Sequence, residues 1–283
     1  RRRSLLQATG ASLGALSLRG FAIDTPAAAH FTHGIASGDP LADRVILWTR
    51  VLPGNGNAAA VPCTWQVATD ASFDTVIASG EAVARAERDY TVKVIVDGLD
   101  PGRTYYYRFF AAREASPLGR TRTLPGPGVD HLRIAYTSCS HWLFGYFNAY
   151  GAIARRNDLD LVLHLGDYIY EYGNGEYGDG TDLGRRHAPD REITTLVDYR
   201  ERYALYRTDA DLQELHRQHP LVVIWDDHES ANNSWQDGAQ NHNEGEGAWA
   251  ARKRAAKGPC IFRNIDRPCR PCPLAGARPL CHV

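Results

Sequence analysis

The chain has 283 residues, 43% of them hydrophobic and 23% charged, with a formal net charge of -1. That balance excludes a general attraction to nucleic acid or to an anionic membrane surface. No stretch reaches the roughly 18 to 20 uninterrupted apolar residues of a helical membrane span, and the length suits one large domain or two smaller ones.

Residues 1–29 have the order of an export signal. Arg1-Arg2-Arg3-Ser4-Leu5-Leu6-Gln7 precedes a small-residue, mildly apolar stretch from Ala8 to Leu18, and Ala27-Ala28-Ala29 offers an A-x-A cleavage site. The pattern resembles a twin-arginine signal, which implies the twin-arginine export machinery as a partner and a periplasmic or secreted product. Only Cys63 and Cys139 lie ahead of the last 24 residues, where Cys260, Cys269, Cys272 and Cys281 crowd together. Such lopsided usage sets the tail apart rather than pointing to evenly placed disulfides.

Residues 30–128 show short alternating runs separated by turns. Arg44–Val51, Thr64–Ala68, Thr91–Val96 and Thr104–Phe110 are predicted strands, with Gly-Asp-Pro, Pro-Gly-Asn-Gly and Asp-Pro-Gly between them. The spacing predicts a small β-sandwich. Leu99-Asp100-Pro101-Gly102-Arg103-Thr104-Tyr105 is similar to the corner of fibronectin type III domains, in which the Tyr bonds back to the backbone. Trp48 and Trp65 are core candidates. Pro117–Leu124 is read as the last strand, and Pro125-Gly126-Pro127-Gly128 as a linker.

Residues 129–257 change to an α/β pattern. Leu132–Thr137 is a strand and Phe147–Arg156 has helical spacing. The run from Leu159 is read as a strand buried on both faces of a parallel sheet, and Leu221–Trp225 as a third strand. Two helices are expected between the last two strands. One carries Leu196, Tyr199, Tyr203 and Tyr206, and the next is opened by Thr208 and closed before Pro220.

The chemistry lies just past the end of each strand. Ser138-Cys139-Ser140-His141 comes after the first, Gly166-Asp167-Tyr168-Ile169-Tyr170-Glu171 after the second, and Asp226-Asp227-His228-Glu229 after the third. Ligands collect beyond the carboxyl ends of strands in open α/β sheets. Taken singly, Cys139 is a small buried hydrophobe and Asp167 a turn cap. Together the groups make a metal site, because carboxylates hold hard cations while thiolate and phenolate suit iron. In a dinuclear arrangement one carboxylate bridges two ions about 3.5 to 4 Å apart, and Asp167 is the candidate bridge.

Ser138-Cys139, His164-Leu-Gly-Asp-Tyr-Ile-Tyr-Glu171, Tyr199-Arg-x-Arg-Tyr203 and Trp225-Asp-Asp-His-Glu229 resemble the alkaline phosphatase D (PhoD-like) family of the metallophosphoesterase superfamily. The resemblance implies a fibronectin III-like β-sandwich followed by a partial α/β metallophosphatase domain. It implies one ferric ion (Fe3+) and two calcium ions (Ca2+), with Cys139 and Tyr170 on iron, Asp167 bridging, and Asp227 where the superfamily has a metal-binding Asn. His228 would orient the phosphate or protonate the leaving group, and Asp226 and Asn232 would be outer or calcium ligands. The implied reaction is hydrolysis of phosphate monoesters or diesters by metal-bound hydroxide, without a covalent enzyme intermediate.

The pattern departs from the superfamily after Glu246, where no Gly-Asp-x-His or Gly-His-x-His motif occurs. Residues 258–283 turn to Pro, Arg and Cys, and are read as a sign that the chain is truncated or frame-shifted. Poor stability and little activity are expected of such a chain. The alternative for the tail is a zinc site of Cys269, Cys272, Cys281 and His282. The alternative for the whole is an exported binding or structural protein that works through its β-sandwich.

Overall fold

The computed structural model describes residues 28–259 apart from Asn55 and Asn57. The export-signal reading, but for its last two residues, and nearly all of the Cys-rich tail lie outside the described residues.

Ten strands form in the first half: β1 (Ala29–His30), β2 (Ile35–Gly38), β3 (Val45–Arg50), β4 (Leu52–Pro53), β5 (Ala60–Ala68), β6 (Val76–Arg85), β7 (Thr91–Val96), β8 (Thr104–Ala111), β9 (Glu114–Ala115) and β10 (Gly119–Arg122). β1 and β4 make a short ribbon, and β10-β8-β5-β6 form one sheet with β9 added to β8. β6 escapes the sequence reading because it is rich in small and polar residues. At its centre Gly80 lies under Trp65, where a Cβ would stand 2.7 Å from the indole. That close approach leaves Trp65 half-buried at the edge of the sandwich core rather than inside it. Tyr105 forms the expected corner, its hydroxyl accepting the Asp100 N–H at 2.8 Å.

The second half supplies β11 (Ile134–Thr137), α1 (Asn148–Ala154), β12 (Leu161–His164), α2 (Leu196–Tyr206), α3 (Ala210–Gln218), β13 (Pro220–Val223) and α4 (Trp249–Lys257). α2 starts on a capping box in which Thr195 and Asp198 satisfy each other's backbone N–H groups. The cap of α3 is Asp209, not Thr208: the Asp209 carboxylate accepts the Leu212 N–H at 3.0 Å, while the Thr208 hydroxyl donates back to Leu205. A carboxylate is the stronger acceptor for the positive end of a helix.

The linker at Pro125–Gly128 does not interrupt the hydrogen-bonded architecture. One six-stranded sheet runs β11-β12-β13-β2-β3-β7, parallel from β11 to β2 and antiparallel beyond. Alternation along β3 explains how one strand serves two cores. Val45 and Leu47 face the sandwich with Val61, Tyr107 and Phe109, whereas Trp48 enters the second core with Val162, Leu221, Tyr199 and Leu215. Arg207, buried at this seam, donates to the His33 carbonyl at 2.9 Å and lies over Trp48. Among the described residues the helices cover one face of the parallel strands. On the other face Ile134, Tyr136, Leu165 and Ile224 are exposed, while within the run from Leu159 both Leu161 and Val162, which point to opposite faces, are buried and Leu163 is half-buried. No helix among the described residues is long and apolar enough to cross a membrane.

Several histidines are folded away from water. Burial, and then the charge of Arg120, pushes His219 down to about 4, and burial holds His216 well below the usual range. Unfolding returns both rings to about 6.5, so the unfolded chain takes up protons first as pH falls. Their contribution is complete above pH 6.5 and is lost towards pH 4. We expect these two rings by themselves to lower the calorimetric Tm by about 5 °C or more between pH 7.5 and 4.5; buried Glu229, raised to about 7, acts in the opposite direction, so the measure is a smaller pH-dependent loss of Tm in His219→Gln than in the parent chain. A Tm unmoved by the substitution across this window would contradict neutral burial.

Candidate metal centre

Because β11, β12 and β13 are parallel neighbours, the segments that leave their carboxyl ends emerge side by side. Two backbone bonds join the first pair: the Cys139 N–H donates to the Gly166 carbonyl at 3.1 Å, and the Ser140 N–H to that of Asp167 at 3.0 Å. Cys139 and Asp167 have φ of 60° and 54°, the left-handed region that costs a residue bearing Cβ about 1 to 3 kcal/mol and recurs at functional sites. Gly166 is required by its own φ of 105° and by space, since a Cβ there would stand 2.4 Å from the Asp226 nitrogen. The second and third segments are also clamped by Glu229. Its fully buried carboxylate accepts the Tyr168 N–H at 2.5 Å and the Asp226 N–H at 2.8 Å. Burial outweighs these donors and pushes Glu229 up to about 7.

This framework brings the carboxylates of Asp167 and Asp227 and the imidazole of His228 together, with ligand atoms all within 4.8 Å of one another. Asp167 Oδ2 accepts the Tyr170 hydroxyl at 3.1 Å, while the buried Oδ1 has no hydrogen-bond partner. The Cys139 thiol stands near enough to Asp167 and Tyr170 to perturb the titration of both. His228 Nδ1 meets Glu171 Oε2 at 2.7 Å, which leaves Nε2 as the nitrogen available to the site. Glu171, fully buried, also accepts the Asn232 N–H at 2.6 Å and the Asn241 side-chain amide at 3.0 Å.

The electrostatics are those of a site short of positive charge. Burial, reinforced by Asp227, raises the Asp167 carboxyl against the pull of His228, Tyr170 and Cys139. Burial and then the neighbouring Asp167 and Cys139 hold the Tyr170 phenol far above its usual range. Burial opposes the charge on His228, but Glu171, Asp167 and Asp227 outweigh it and raise the imidazole. A bound cation would reverse the shifts of Asp167 and Tyr170, stabilising carboxylate and phenolate together.

Of the residues read from sequence, Asp167, Asp227 and His228 form the tight cluster, and Cys139 and Tyr170 adjoin it through Asp167. Asp226 is exposed and engages Glu229 through its backbone, and the Asn232 side chain turns to Gln240 at 2.8 Å. The Asp226 carboxylate is not among the ligand atoms of the cluster. Three residues were not assigned by sequence reasoning: Glu171, Glu229 and Arg202. The two acids stand at the ends of their motifs and read like further ligands. Arg202 is fully buried and donates to the carbonyls of Tyr170, Tyr172, Ala188, Pro189 and Arg191, bracing the segment that carries Tyr170. Its signal was the spacing Tyr199-Arg-x-Arg-Tyr203, which names the residue but not its target.

The profile described as PhoD-like phosphatase matches residues 134–260, and that of PhoD-like phosphatase, N-terminal domain, matches residues 18–125. The chain belongs to the PhoD-like phosphatase family. It is 49% identical over 210 residues to alkaline phosphatase D of Bacillus subtilis (strain 168), an alignment covering 72% of this chain and 36% of that protein. A solved structure of PhoD matches with a TM-score of 0.74 and 44% identity, covering 81% of this chain and 45% of that one. The PhoD-like chain therefore spans less than half the length of these relatives. The match bears out the order of a β-sandwich followed by a phosphatase domain.

In this PhoD-like chain the contact at Gly166 admits no Cβ. Gly166→Ala should cost at least about 2 kcal/mol in urea unfolding, because backbone must move on both segments. A change within about 0.5 kcal/mol, the range of ordinary surface substitutions, would mean that the two segments are not held together.

Proposed function

We propose that this chain carries the metal-holding part of a phosphate-ester hydrolase acting on monoesters or diesters by metal-dependent attack of water. The observation that carries the reading is the Asp167, Asp227 and His228 cluster, with one Asp167 oxygen buried without a partner beside a thiol and a phenol. The donor set fits cations. Cys139, Tyr170 and Asp167 would hold the ferric ion that the resemblance implies, with Asp167 shared and Asp227 on a neighbouring calcium. When bound, such ions supply Lewis acidity at phosphorus and lower the pKa of water.

The chain's own groups do the rest. Glu171 fixes the His228 ring and its charge, so Nε2 presents a proton to a phosphate oxygen or to the departing alkoxide. Export through the twin-arginine route, to the periplasm or medium, belongs to the same proposal and rests on the N-terminal pattern.

Protein purified from metal-replete medium should contain iron and calcium by elemental analysis and absorb visible light, and Tyr170→Phe should bleach that band. Asp167→Asn should remove most bound metal and lower hydrolysis by at least about 100-fold, since an outer partner alone is worth 10- to 100-fold. Colourless, metal-free protein that binds no phosphate would overturn the reading in favour of a binding protein. Glu171→Gln keeps the shape of the side chain but not its charge. It should lower kcat about 10- to 100-fold with little change in Tm; an unchanged kcat would remove His228 from proton transfer.

A further inference from the structure

Beside the candidate centre stands a wall of aromatic rings that phosphate chemistry alone does not require. His228 adjoins Tyr172 at 5.6 Å between centroids, Tyr172 adjoins Tyr177 at 5.2 Å, and Tyr177 adjoins Phe144 at 5.3 Å. Tyr177 is 46% and Phe144 59% exposed, although large apolar rings are usually covered. Their positions are built. Phe144 stacks on buried His141 at 4.4 Å and lies over Gly178, where a Cβ would come within 2.3 Å of the ring. Arg185, itself buried, pins the Tyr177 segment to the Phe144 segment. Its Nε donates to the Trp142 carbonyl at 2.9 Å and its Nη1 to Asp209 at 2.8 Å.

Resting on the phosphate-ester reading, we infer that this wall is the subsite for the organic group of the ester, and that it selects a flat aromatic group. A phosphoryl group seated against His228 must place its ester substituent on an adjoining surface. This surface offers ring faces fixed before any ligand arrives, so little ordering entropy is spent on stacking. An aliphatic chain would gain contact area but no stacking, and a small polyol would desolvate its hydroxyls against the rings without hydrogen bonds in return.

The test is calorimetric titration of the protein with the metal it carries, using phenylphosphonate, methylphosphonate and phosphocholine. Phenylphosphonate should bind about tenfold more tightly than methylphosphonate, in the range that aromatic stacking supports. Tyr177→Ala and Phe144→Ala should each erase several-fold of that preference without weakening methylphosphonate, and Tyr177→Phe should keep it. Equal binding of the two phosphonates overturns the inference and leaves the phosphate-ester reading intact. If neither phosphonate binds, both fall. Tighter binding of phosphocholine would assign the rings to cation recognition instead. A dimer that dissociates on Tyr177→Ala would assign the wall to a second copy of the chain, and either result overturns the aromatic subsite.

Discussion

The candidate centre depends on how closely two strand ends can approach. Gly166 and Asp226 meet backbone to backbone, and the buried Glu229 carboxylate accepts N–H groups from both segments. Two loops that leave neighbouring parallel strands have no ladder beyond the last residue, and each would otherwise relax outward to hydrate its free amides. A carboxylate with two strong acceptor sites closes that gap without contributing a metal ligand. Asp227 and His228 are then held opposite Asp167 because the residues beside them have no other place to go. The clamp is expensive, since burial raises Glu229 towards neutrality. Such a charge is tolerated where it has donors on both sides.

A second layer of fully buried acid and base sets orientation. Glu171 gathers the His228 ring, the Asn232 N–H and the Asn241 amide, and Arg202 gathers the carbonyls of the segment beyond Tyr170. Neither residue is a member of the cluster, yet Glu171 fixes one of its side chains, His228, and Arg202 fixes the backbone of Tyr170 beside it. The left-handed backbone at Cys139 and Asp167 is the counterpart of this bracing. Strain of about 1 to 3 kcal/mol per residue persists only where surrounding bonds over-determine the conformation. Pre-organisation of this kind lets a site accept cations without rearranging its loops.

The sequence made the skeleton of this arrangement legible because its signals were local. The apolar run before Gly166, the three chemically dense strand ends and the Tyr105 corner are each contained in a few consecutive residues. The hidden part was non-local. Nothing in the runs at β2 and β13 announces that they pair in parallel, so the sheet's passage across the Pro-Gly linker could not be read. Trp48 was read as a core residue, but the period of β3 sends it into the second core. Thr208 and Asp209 are adjacent possible caps, and the choice between them depends on a carboxylate that also pairs with Arg185.

The same distinction separates ligands from their supports. Asp226, Asp227, Glu229 and Glu171 are chemically alike and close in sequence to the metal-binding pattern, so residue type ranks them equally. Geometry ranks them by what their oxygens already hold. Glu229 and Glu171 spend theirs on backbone N–H groups, an amide and an imidazole, while one oxygen of Asp167 is buried and holds nothing. An acceptor left bare in the interior costs about 1 to 3 kcal/mol unless something fills it. The unsatisfied atom is therefore the better pointer to a ligand, and its position among a thiol, a phenol and a second carboxylate is what supports the cation proposed for it.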